Sequence, residues 1–131
     1  MSLALKGHAP AARARIATTP HERVAISIIT AMELHFGLAK HPEASRIRAV
    51  LEPFLGTIQI ANLPDGIAPI YGSVRAALER SGRPIGPLDT IIAAQALALG
   101  WTLVTNNLRE FSRVPGLRCV DWTRSGARRA R

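Results

Sequence analysis

Residues 86–113 read GPLDTIIAAQALALGWTLVTNNLREFSR, and the way this stretch folds decides how the rest is arranged. Pro87 suits the first position of a helix, because it has no N–H to leave unpaired and its φ is already helical; Asp89 then falls in the first turn. Leu88, Ile91, Ile92 and Leu99 recur at helical spacing on one face, with Gln95 among them, and Gly100 supplies the stop. A short strand, 103–105, comes at once after it. A helix feeding a strand this closely runs antiparallel to it, so the start of the helix and the end of the strand share one edge of the sheet. Asp89 and Asn107 are therefore expected to be neighbours.

Two readings of these residues stand side by side. Asp89 complements the helix dipole, worth about 0.3 to 1 kcal/mol, or it is a ligand in a metal site. Asn106 and Asn107 are turn residues chosen for their local hydrogen bonding, or they serve the same site.

Outward from this stretch the chain alternates strands and helices. Residues 8–17 read as a helix carrying Arg13 and Arg15, and 24–28 as a buried, β-branched strand. Thr30 and Glu33 match a capping box, so the strand turns directly into a helix ending near Lys40. A second helix, 43–55, is closed by Gly56, and a strand, 57–61, comes next. Pro64 and Asp65 open a helix that reaches about Ser81. Residues 82–87, GRPIGP, form a loop stiffened by prolines, and a last strand, 118–121, comes after the Pro115–Gly116 turn. This order implies an α/β fold with a short parallel sheet covered by helices, in which ligands bind beyond the carboxyl ends of the strands. Glu33, Asp89 and Asn107 all belong to that edge.

At 131 residues the chain is one domain, 1–122, with a basic tail, 123–131. Its 47% hydrophobic content excludes a disordered chain, and it has neither an apolar run of membrane-spanning length nor a convincing signal-peptide core. A cytoplasmic protein is expected. One cysteine, Cys119, excludes an internal disulfide and a cysteine-rich zinc site, and its apolar surroundings read as core. His8, His21, His35 and His41 lack metal-ligand spacing. The net charge of +8 favours a polyanionic partner such as nucleic acid or an acidic protein, although four of those charges, Arg124, Arg128, Arg129 and Arg131, lie in a tail read as flexible.

Only nine residues are acidic. Glu22, Glu43, Glu52 and Glu79 fall in loops or on solvated faces, Asp65 caps a helix, and Asp121 ends the last strand. Glu33 and Asp89 are left, and Glu110 with them. As a capping-box partner Glu33 has a complete structural explanation. Against it stands the coincidence of two acids at two helix starts, with an Asn-Asn-x-x-Glu turn, at one edge of a basic protein. Clustered carboxylates repel unless a cation holds them; Mg²⁺ or Mn²⁺ takes such oxygen ligands, retains waters, and can drive phosphodiester hydrolysis. No glycine-rich dinucleotide motif, phosphate-binding loop or serine-nucleophile elbow is present.

The stretches VAISIITAMELHFGL (24–38), GPLDTIIAAQALALGWTLVTNN (86–107) and REFSRVPGLRCVDW (109–122) closely resemble the PIN-domain toxins of the VapC type. The resemblance implies a Rossmann-like PIN fold and a Mg²⁺- or Mn²⁺-dependent endoribonuclease, a toxin held by a cognate antitoxin and commonly a homodimer. It places Glu33 and Asp89 among the metal carboxylates and puts Asn107 where the family has a further acid, with Glu110 in the place of the acid before Phe. It implies no membrane partner. Such toxins open with a central strand ending in Leu-Asp-Thr-Asn, whose Asp is a principal ligand. No acid precedes Glu22 here, and residues 1–16 resemble the family's segment immediately after that motif. The first strand is therefore expected to be missing, the chain starting at an internal codon. The alternative to a working nuclease is a catalytically impaired PIN domain that binds antitoxin or RNA without cutting.

Overall fold

The computed structural model describes residues 2–6, 20–43, 45–122 and 129–130. A six-stranded sheet is built from β1 (Ser2–Lys6), β2 (Val24–Ser27), β3 (Gln59–Ala61), β4 (Thr102–Thr105), β5 (Cys119–Val120) and β6 (Arg129–Ala130), in the order β3-β2-β1-β4-β5-β6. All neighbours pair parallel except β6, which runs antiparallel to β5. The expected helix at 8–17 lies outside the described residues.

The missing first strand is corrected by this topology. Ser2–Lys6 takes the central place, Leu3 opposite Ala25 on one side and Leu103 on the other, with an irregularity between Ala4 and Lys6. The reason is geometric: β2 and β4 would otherwise each leave a row of backbone donors and acceptors unpaired in the middle of a covered sheet. The sequence of β1 is SLALK, so the central strand carries no carboxylate. The tail reading is modified too, because Arg129 and Ala130 pair with Val120 and Cys119.

Among the described residues five α-helices accompany the strands: α1 (Ile28–Lys40), α2 (Ser45–Thr57), α3 (Ile67–Arg80), α4 (Pro87–Leu99) and the single turn α5 (Leu108–Phe111). Alternation along β4 and β5 sends Leu103 and Cys119 to one face and Val104 and Val120 to the other. On the first face Ile29, Val74, Leu78, Ile92, Ala93, Ala96 and Phe111 form the larger core. On the second, Val24, Val104 and Trp122 pack with Ile58. Helix α4 is apolar nearly all round because it sits in that larger core. Thr90 and every residue from Ile92 to Ala96 are buried, whereas Leu88, expected on the inner face, is 44% exposed.

Several helix ends differ from their expected positions. α1 begins at Ile28, not after Thr30, because the buried Ser27 hydroxyl accepts the Ile29 N–H at 3.1 Å and caps the helix three residues earlier. α2 runs through Pro53 and past Gly56 to Thr57. Asp65 does not cap α3: Gly66, at φ 83°, is the residue before it and offers no side chain.

Candidate functional site

The parallel pairing of β2, β1 and β4 brings their carboxyl ends to one edge. Glu33 lies in the second turn of α1, directly after β2 ends at Ser27, and is half-buried. With Ser27 as the cap, the third helical position belongs to Thr30, so Glu33 is not a capping-box partner. Its Oε1 is shielded from solvent.

Asp89 arrives from the other side. Pro87 is the first residue of α4, Asp89 lies in its first turn, and Gly100 ends the helix in the left-handed conformation at φ 69°. The last turn hands the chain to Trp101, whose N–H bonds to Ala96 O, and β4 begins one residue later, antiparallel to the helix. The start of α4 and the end of β4 therefore share the site edge. Asp89 is half-buried, with Oδ1 covered. α1 and α4 pack against one another, with Ile29 and Ile92 both buried in the larger core.

The third contribution comes from the turn after β4. Asn107 N–H donates to the hydroxyl of buried Thr105 at 3.0 Å, and Asn107 Nδ2 donates to Glu110 Oε2 at 3.0 Å. The two residues expected at the site thus form one amide–carboxylate unit, Asn107 keeping its Oδ1 as an acceptor. α5, the turn that creates this pair, is absent from the sequence reading; Asn107 at its start and the Arg-Glu-Phe after it were the available signal. Arg83 and Arg109 are exposed. Cys119 is fully buried, and burial pushes its thiol up to about 11, so it is not a nucleophile. Asp121, directly after β5, is buried.

Among the described residues no group of three or more His, Cys, Asp or Glu side chains is gathered as a metal site. Two acids from separate helices, one shielded oxygen on each, and a neutral amide still fit an ion that needs only one or two carboxylates and keeps its waters. Among the described residues no helix is long and apolar enough to cross a membrane.

Comparison with known proteins identifies the domain. Residues 3–117 match the PIN domain. The chain is 44% identical over 100 residues, 76% of each protein, to the tRNA(fMet)-specific endonuclease VapC of Salmonella typhimurium. The DNA-bound VapBC structure from Salmonella typhimurium superposes with a TM-score of 0.77 at 41% identity, covering 86% of this chain and 85% of that one. VapBC2 of Rickettsia felis, bound to a promoter DNA fragment, gives 0.73 at 34% identity, over 85% and 82%.

Proposed function

Because this chain belongs to the PIN-domain family, among its VapC-type toxins, we propose that it is the endoribonuclease of a type II toxin–antitoxin pair, hydrolysing RNA phosphodiester bonds with Mg²⁺. Nucleases of this domain generally depend on a divalent metal. What supports the reading is the placement of Glu33 in the helix that follows β2 and of Asp89 in the first turn of the helix that precedes β4, both on the side of the carboxyl ends of the strands.

Glu33 and Asp89 would hold the ion, Mg²⁺ or Mn²⁺, which when bound supplies an acidified water and neutralises charge on the attacked phosphate. Asn107, its amide fixed by Glu110, offers Oδ1 to orient the attacking water. The exposed guanidiniums of Arg83 and Arg109 attract the RNA backbone, and the net charge of +8 raises the rate of encounter. The domain is read as 1–122 and the tail, 123–131, as an addition to that phosphate attraction. The protein works in the cytoplasm, where its RNA is.

The partner is a cognate antitoxin, as the VapBC assemblies of the solved relatives support. Met32 and Phe36 on α1 and Ile47 and Val50 on α2 are more than half exposed, an apolar surface suited to an antitoxin segment. Pairing of two toxin chains is part of the same proposal. The names of the relatives make tRNA(fMet) the substrate to try first.

One observation favours the second reading, a PIN domain that binds without cutting: β1 reaches the site edge with no acid. The test separates the two. Purified toxin is expected to cleave tRNA(fMet) in Mg²⁺, to stop with chelator, and to lose the activity in Asp89→Asn. Intact tRNA alongside undiminished antitoxin binding would overturn the nuclease in favour of the binder.

A further inference from the structure

We infer that Arg113 is a positioning residue, a strut that sets the spacing between the segment leading to Asp89 and the turn carrying Asn107 and Glu110. The inference rests on the proposed site but begins from bonds outside it. Arg113 comes just after α5, its backbone N–H donating to Glu110 O at 3.1 Å, so its Cα moves with the last turn of that helix. The flanking residues Phe111 and Val114 are buried in the larger core and leave this backbone little freedom. From there the side chain reaches across 29 positions of sequence, and Nη1 donates to the carbonyl of Pro84 at 3.2 Å.

Pro84 belongs to 83–86, the loop that ends at Pro87 and the first turn of α4. With its own ring and that of Pro87 limiting the backbone, a pull on this carbonyl is transmitted to the start of the helix and not dissipated in the loop. The bond therefore closes a frame: Asp89 stands on one side, Asn107 and Glu110 on the other, and Arg113 is the crosspiece among the described residues.

The placement is not explained by stability. Arg113 Nε is buried without a hydrogen-bond partner among the described residues, a donor left unsatisfied that an apolar side chain of similar length would not carry. Local costs of this kind concentrate where geometry serves a function. Alignment of ligands to within a fraction of an ångström is what a metal-dependent site needs.

The experiment compares parent, Arg113→Met and Arg113→Lys by amide hydrogen exchange, thermal midpoint and Mn²⁺ binding. Arg113→Met is expected to keep the parent midpoint, to speed exchange at 83–90 and 107–113 by about 10-fold, and to weaken Mn²⁺ binding by about 10-fold. Arg113→Lys, which retains a donor for Pro84 O, recovers part of both. Parent-like exchange in Arg113→Met would overturn the strut, as would acceleration spread over the whole sheet with a fallen midpoint. A parent that binds no Mn²⁺ while Arg113→Met still loosens both segments sinks the metal-site reading alone.

Discussion

α4 and the α1–α2 hairpin are helical regions of equal purpose to the fold but opposite construction. α4 is enclosed: its residues from Ile92 to Ala96 are buried, and Gln95 donates both amide protons to main chain, to Ala61 O at 2.8 Å and Asn62 O at 3.0 Å. The hairpin is open. α2 buries only Leu51 among its described residues, and Phe36 on α1 stands 66% exposed with Lys40 over its ring. Arg48 ties the two helices together, donating to Leu38 O while pairing with Glu52. A rigid half presents Asp89, and an unfinished half presents Glu33 beside an apolar surface. Met32, Glu33 and Phe36 share α1, so whatever covers Met32 and Phe36 acts next to a proposed ligand.

The largest expected effect belongs to the enclosed half. Asp89→Asn removes a charge without changing shape and should cut RNA cleavage by at least about 100-fold with an unchanged thermal midpoint; retained cleavage would remove Asp89 from the site. On the open half, Phe36→Asp should weaken the antitoxin complex by about 2 kcal/mol, roughly 30-fold in Kd, measured by calorimetry, with cleavage by the free toxin unaltered. An unmoved Kd would mean that the partner docks elsewhere and the contrast is one of packing alone. Gln95→Leu tests the enclosure itself: two main-chain carbonyls lose their donor, for a cost of about 2 kcal/mol or some 7 °C in midpoint by calorimetric scan. The smallest effect is Gly100→Ala. Among the described residues nothing beyond its own chain neighbours lies within 4 Å of the added Cβ, so only the positive φ is penalised, by about 1 kcal/mol or some 4 °C.

The same contrast separates what was legible in the sequence from what was not. α4 could be read closely because its signals are local: Pro87 starts it, Gly100 stops it, and β4 begins within two residues. Asp89 at the site edge followed from that alone. α1 was harder. In VAISIIT strand and helix meet without a break, and two hydroxyls, Ser27 and Thr30, compete as cap. Local pattern favoured the one with Glu33 three residues on, whereas burial of Ser27 in the sheet selected the other. That choice also changes the meaning of Glu33, from cap partner to candidate ligand.

What the sequence hid is mostly long-range. Gln95 meets main chain more than 30 positions away, and Arg113 meets Pro84 at 29. Neither bond leaves a periodic trace. The central strand was missed for another reason: SLALK lacks the Leu-Asp-Thr-Asn ending by which the family resemblance would place it, and only the unpaired flanks of β2 and β4 give it a place. The Asn107–Glu110 bond depended on a helical turn of four residues, below the length at which apolar periodicity can be seen.

The outer strands of the sheet carry a last consequence. It finishes in a strand of three residues at β3 and one of two residues at β6. Edges this brief offer an incoming chain almost no main-chain ladder to extend, which disfavours edge-to-edge stacking into aggregates. Selective association is left to side chains on the helices, where a few substitutions can retune it without touching the sheet.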